Sequence, residues 1–164
     1  MGIGGQQVTI VVDVANVMGS RPDGWWRDRP GAAVRLHDEI VRLAQSGRAI
    51  LPDAPAADSP VTDEAGPEQA SEPGFVMVLE SAARAAAARI PAAEPDADGT
   101  GPARPGEVRV VQARGSGDDA IVAVVRELPG RRVVVTADRE LRARCVAAGA
   151  EILGPGWLLG LLRG

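Results

Sequence analysis

VTIVVDVANVMG, Val8 to Gly19, is the stretch from which the architecture can be read. Val8 to Val14 is apolar and β-branched almost without interruption, Asp13 being the exception. A strand half-exposed on one face would alternate polar and apolar side chains; a continuous run belongs to a strand covered on both faces. Four further runs read the same way: Phe75 to Leu79, Val108 to Val111, Arg132 to Thr136 and the short Glu151 to Leu153. Helical patterns fall between them. Pro30 suits the first turn of a segment in which Ala33, Leu36, Ile40 and Leu43 recur at three-four spacing. Ser81 to Ile90 is alanine-rich; Ile121, Val124, Val125 and Leu128 form a stripe, as do Leu141, Cys145 and Ala148; Trp157 to Leu162 closes as a short helix. Strand alternating with helix predicts an α/β fold, three layers (α/β/α) around a mostly parallel, roughly five-stranded sheet.

The chain has 164 residues, which suits one domain spanning residues 1–164. Within it, residues 52–74 are acidic and rich in Pro and Ala, and are expected to be a disordered insertion; residues 91–106 read as a second flexible linker. The net charge of −4 argues weakly against a non-specific nucleic-acid coat. Six acids and no base lie in the first insertion (Asp53, Asp58, Asp63, Glu64, Glu68, Glu72), so the remainder is close to neutral.

All 18 basic residues are Arg. Without a lysine, phosphate-loop, Schiff-base and lysine-assisted phosphotransfer chemistries are excluded. The single cysteine, Cys145, rules out an internal disulfide, and with His37 the only histidine no His/Cys zinc cage can form. His37 falls mid-helix on the first helix and Cys145 on the apolar stripe of a later one, both away from the strand ends, and Cys145 is expected to pack in the core. No secretion signal or membrane span is evident, so a cytoplasmic location without membrane partners is the default expectation.

The acids carry the functional reading. In an open parallel sheet the carboxyl ends of the strands share one edge, and the side chains just beyond it converge. Asp13 follows VTIVV, Glu80 follows FVMVL, Asp118 and Asp119 follow VRVVQARGSG, and Asp138 follows VVVTA. Carboxylates crowded together either take up protons or gather a cation. Oxygen donors with neither His nor Cys suit Mg²⁺ or Mn²⁺. Each acid taken alone is equally readable as a helix cap: Ser116 with Asp119 fits a capping box, and Asp138 precedes a helix. Asp13, followed by Val14 and Ala15, fits that explanation least. Asn16 is either an orienting neutral partner or a turn residue, and Thr136 stands within potential reach of Asp13 or Asp138.

SRPDGWWRDR, Ser20 to Arg29, should overhang the same edge. Trp25 and Trp26 could stack on unpaired bases while Arg21, Arg27 and Arg29 meet phosphates. The structural alternative packs one Trp on the domain and pairs the arginines with Asp23 and Asp28; one Trp is expected in each role. The glycines at 154, 156 and 160 come too late for a dinucleotide loop, and Asp96 and Asp98 lie in a linker.

VVDVANVMG (Val11 to Gly19), GSGDDAIV (Gly115 to Val122) and VVVTADRELRARCVAAGA (Val133 to Ala150) together resemble the NYN-domain branch of the PIN-like nucleases. The resemblance implies a PIN-like parallel sheet, an acidic Mg²⁺ or Mn²⁺ site and endoribonuclease activity. It places Asp13, Asp118 or Asp119, and Asp138 on the metal-binding acids and Asn16 on the strand-end asparagine; Glu80 joins them by its strand-end position. RNA, single-stranded or structured, is then the implied partner. The alternative is a non-catalytic module binding RNA or protein. A receiver-type phosphoacceptor is excluded by the missing lysine. A homodimer is allowed on general grounds alone.

Overall fold

The computed structural model describes residues 7–22, 24–49, 51, 72–80 and 103–163. Five strands, β1 (Val8–Asp13), β2 (Gly74–Leu79), β3 (Val108–Gln112), β4 (Arg131–Val135) and β5 (Glu151–Leu153), form one sheet in the order β3-β2-β1-β4-β5. Every pairing is parallel. Helices α1 (Val14–Gly19), α2 (Arg29–Ser46), α3 (Gly117–Glu127), α4 (Arg139–Ala147) and α5 (Pro155–Arg163) flank it, with a single 3₁₀ turn at Trp25–Arg27. The α/β/α class expected from the continuous apolar runs is the observed one.

The two faces of β1 sort the layers. Ile10 and Val12 pack with Phe75, Met77 and Leu79 beneath α1, α2 and α5. Val11 points the other way, with Val76, Val78 and Val134, beneath α3 and α4. Both faces are therefore sealed, and all six residues of β1 are buried. This is why no alternation was visible in the sequence.

After β3 the chain crosses to the far side of β1 to lay down β4. The helices leaving β1 and β4 cover opposite faces, so a crevice opens between the carboxyl ends of these two strands, the usual ligand position in such sheets. Register fixes what meets there. Val12 lies opposite Met77 and Val135, which brings the next residues along, Asp13 and Thr136, side by side. The register is pinned at the other end by the turn into β4: Gly130 has φ +75°, and Arg131 N–H donates to the Gln7 carbonyl at 2.8 Å.

Some boundaries differ from the sequence reading. β1 ends at Asp13 and α1 follows at once, inside what reads as one apolar run. A six-residue helix has too few turns for a periodicity to be visible. Helix α5 starts at Pro155, two residues ahead of the expected Trp157. The alanine-rich segment 81–90, most of the expected linkers (52–71 and 91–102) and Asp23 lie outside the described residues. Among those described, no helix is long and apolar enough to cross a membrane.

Candidate functional site

Asp13 is the last residue of β1 and only 8% exposed. Its Oδ2 accepts the Thr136 hydroxyl at 3.0 Å, and its Oδ1 takes a long 3.4 Å bond from Asn16 N–H. It is thus the N-cap of α1. The expectation that Asp13 fits a cap least is corrected here, because a helix begins directly after it. The cap does not account for the burial. Burial pushes the Asp13 carboxyl up to about 6, the bonds from Thr136 and Asn16 opposing, with Glu80 and Asp118 adding repulsion.

Thr136, fully buried, links three groups: its hydroxyl donates to Asp13, accepts Asp138 N–H at 3.2 Å, and its carbonyl accepts from Arg142 Nε at 3.0 Å. Asn16 adds a second tie across the crevice, its Oδ1 accepting Ala137 N–H at 2.8 Å. What remains for a ligand is its amide N–H₂. Asp138 caps α4, accepting Leu141 N–H at 3.0 Å.

Glu80 leaves β2 and reaches across to α3, where Oε2 accepts Gly117 N–H at 2.7 Å. Gly117 permits this approach, since a Cβ there would stand 2.1 Å from that oxygen. Ser116 occupies the N-cap position of α3 but makes no side-chain cap bond, so Glu80 performs the role that the expected capping box assigned locally. The neighbouring aspartates divide. Burial raises the Asp118 carboxyl above the ordinary value, with repulsion from Asp138 and Glu80 adding to it and Arg144 opposing. Asp119 is mostly exposed and bonded to Arg144 at 2.8 Å, a departure from its expected place among the ligands.

Asp13, Glu80, Asp118 and Asp138 therefore form one electrostatic neighbourhood at the edge between β1 and β4. Among the described residues no group of three or more His, Cys, Asp or Glu side chains is drawn together so as to hold an ion outright. The donor chemistry suits a hard cation that keeps most of its water and takes one or two carboxylates. The raised carboxyls of Asp13 and Asp118 supply the electrostatic demand for one.

Around the Trp loop, Trp25 packs on the core under α2 while Trp26 stays 57% exposed, the rings meeting edge to face at 6.2 Å. Arg27 lies over Trp26 at 5.9 Å and Arg29 over Trp25 at 5.4 Å. Arg21 is taken by Glu39 of α2 and is not available as expected. Asp28 does not pair with the arginines; it caps α2 through Gly31 N–H. Cys145 is fully buried, burial raising its thiol to about 11, and His37 sits in α2 across the sheet. Lying on opposite faces of the sheet, the two cannot form a nucleophile pair.

No family model matches the chain, and no curated protein matches it in sequence. In three dimensions the chain is similar to a solved structure, a Trp-to-Leu variant of Rae1 (YacP) from Bacillus subtilis, with TM-score 0.55 over 94% of this chain and 74% of that one. The chain shares the fold of Rae1. At 14% identity the likeness is one of backbone arrangement, and the acids of this chain stand on their own geometry.

That geometry makes the pH dependence of stability run opposite to that of an ion-paired carboxylate. Asp13 titrates at about 6 when folded and near 3.8 when unfolded, so between these values the folded state holds more proton and stability falls as pH rises. Above the window the ionised Asp13 costs on the order of 2–3 kcal/mol. With divalent ions chelated, Asp13→Asn is expected to melt higher than wild type at neutral pH, the gap closing as pH falls towards about 4. A melting-temperature gap that stays constant across that range would mean Asp13 ionises normally.

Proposed function

We propose that this chain is a divalent-metal-dependent ribonuclease that hydrolyses phosphodiester bonds at the carboxyl edge of β1 and β4. The observation that carries the reading is Asp13, a buried carboxylate at the strand-crossing point, held by Thr136 and raised partly by Glu80 and Asp118. The NYN resemblance of the same segments supports it.

In this reading Asp13, Glu80, Asp118 and Asp138 hold Mg²⁺ or Mn²⁺, which supplies a more acidic water and neutralises phosphoryl charge. Thr136 and Asn16 keep Asp13 oriented and the two strand ends together. Trp26 offers a ring face to an unpaired base, with Arg27 and Arg29 beside it for phosphates. Trp25 supports that loop through the core.

The division of the paired aspartates gives the test. Asp118→Asn is expected to lower metal-dependent cleavage of single-stranded RNA by roughly a hundredfold, whereas Asp119→Asn, which breaks only an exposed ion pair, should stay within a few-fold. Equal losses in both would place the ion elsewhere.

A second reading, a non-catalytic RNA- or protein-binding module, is favoured by one observation. Asp13, Asp138 and Glu80 each already bond a helix N-terminus. Metal-induced stabilisation without cleavage of any RNA would select it.

A further inference from the structure

A phosphodiester brought to four carboxylates is repelled by them, and the chain has no lysine to offset this. Most described arginines with bonded partners are spent elsewhere. Arg21 is held by Glu39, Arg131 by Glu151 and Arg144 by Asp119. Arg132 reaches the carbonyls of Val125 and Gly149. Arg114 and Arg139 lie on the same edge as the acids, but both are exposed.

Arg142 differs. It projects from the first turns of α4, half-buried, and its Nε donates at 3.0 Å to the carbonyl of Thr136, the residue whose hydroxyl holds Asp13. The anchor is neutral, so the positive charge is not cancelled, and among the described residues no carboxylate pairs with it. A guanidinium has five donors in a fixed fork; with Nε fastened, the Nη edge keeps the geometry that grips a phosphate through two bonds. Gly154 flanks that edge. A Cβ there would lie 3.8 Å from Nη2, and Gly154 carries none.

We propose that Arg142 is a phosphate-binding residue at the β4 side of the crevice, gripping the backbone of a nucleic-acid strand that lies across the acids. The proposal rests on the phosphodiester reading of the site and adds a named contact to it. Arg142 is tied to Asp13 through Thr136, whose carbonyl it holds and whose hydroxyl holds Asp13, so it sets how deeply a phosphate sits.

The test measures binding of a short fluorescent single-stranded oligoribonucleotide across a salt series, with divalent ions chelated. Arg142→Ala is expected to weaken binding roughly ten- to a hundredfold and to lower the slope of log affinity against log salt by about 0.7. Arg142→Lys should keep the slope and lose affinity, because the charge remains and the fork does not. Gly154→Leu leaves Arg142 in place, sits at a position without positive φ, and should weaken binding by covering the Nη edge. It keeps the proposal testable if Arg142→Ala fails to fold. Arg126→Ala, exposed in the last turn of α3 at the opposite end, should change only the slope or nothing.

An unchanged affinity and slope in both Arg142→Ala and Gly154→Leu overturns the proposal, as does a wild type that does not bind the oligonucleotide. Failure of the ribonuclease reading is seen separately. There the Arg142 effect on binding persists while no metal produces cleavage.

Discussion

Asp13→Asn is expected to abolish the proposed metal-dependent cleavage of single-stranded RNA, lowering kcat/KM by roughly a thousandfold or more. The size of the effect follows from how little else the substitution changes. Asn is nearly isosteric and keeps one acceptor oxygen, which can take the Thr136 hydroxyl or the Asn16 N–H; the second of these bonds is lost with the charge, and the Asn16 bond is the longer one at 3.4 Å. The register of β1 against β4 is untouched. What disappears is the charge whose burial and whose neighbours, Glu80 and Asp118, raise it to about 6. The variant should therefore be folded, more stable than wild type in chelator at neutral pH, and no longer stabilised by Mn²⁺ to the wild-type degree. Titrating Mg²⁺ and Mn²⁺ while following cleavage and melting in the same samples reads all three. A variant cleaving at the wild-type rate overturns the ribonuclease reading, since among the described residues no other carboxylate at this edge is comparably buried.

The largest effect on stability is expected from Gly130→Ala. Gly130 has φ +75°, and a methyl group there would stand 2.3 Å from the Gln7 carbonyl oxygen, the atom that accepts Arg131 N–H. The left-handed backbone costs a side chain about 1–2 kcal/mol, and the collision with fixed backbone about 1–3 more. Together they should lower the melting temperature by roughly 10 °C. Gly115→Ala is the matched control. Nothing lies within 4 Å of its Cβ and its φ is not positive, so it should be close to neutral. A Gly130→Ala protein that melts with wild type would show that the turn can relax away from Gln7.

The sheet was legible because burial on both faces writes itself into sequence as continuous Val and Ile, and β5 agrees residue for residue. Helix α1 was not, since its residues Val14, Val17 and Met18 prolong the apolar run of β1, and only Asp13 with Asn16 three residues on marks the break. Strand ends located Glu80 and Asp138 at the edge. They could not reveal that Glu80 bonds Gly117, thirty-seven residues away, because that depends on where α3 lands against β2. Likewise Asp118 and Asp119 look interchangeable in sequence. Successive residues on a helix point about 100° apart, and the packing of α4 decides which one meets Arg144. Arg142 carried no sequence signal, as its role depends on a carbonyl.

β1 is paired on both sides, and the groups that hold Asp13 belong to α1, which continues β1 directly, and to Thr136, the residue after β4. Elements joined this way open only with the whole molecule. The marginal strands β3 and β5, half-exposed, can fray without disturbing them. Heat or denaturant should therefore leave no folded form of this protein from which Asp13 has been lost. Asp13 is then expected to have the same lifetime as the native state.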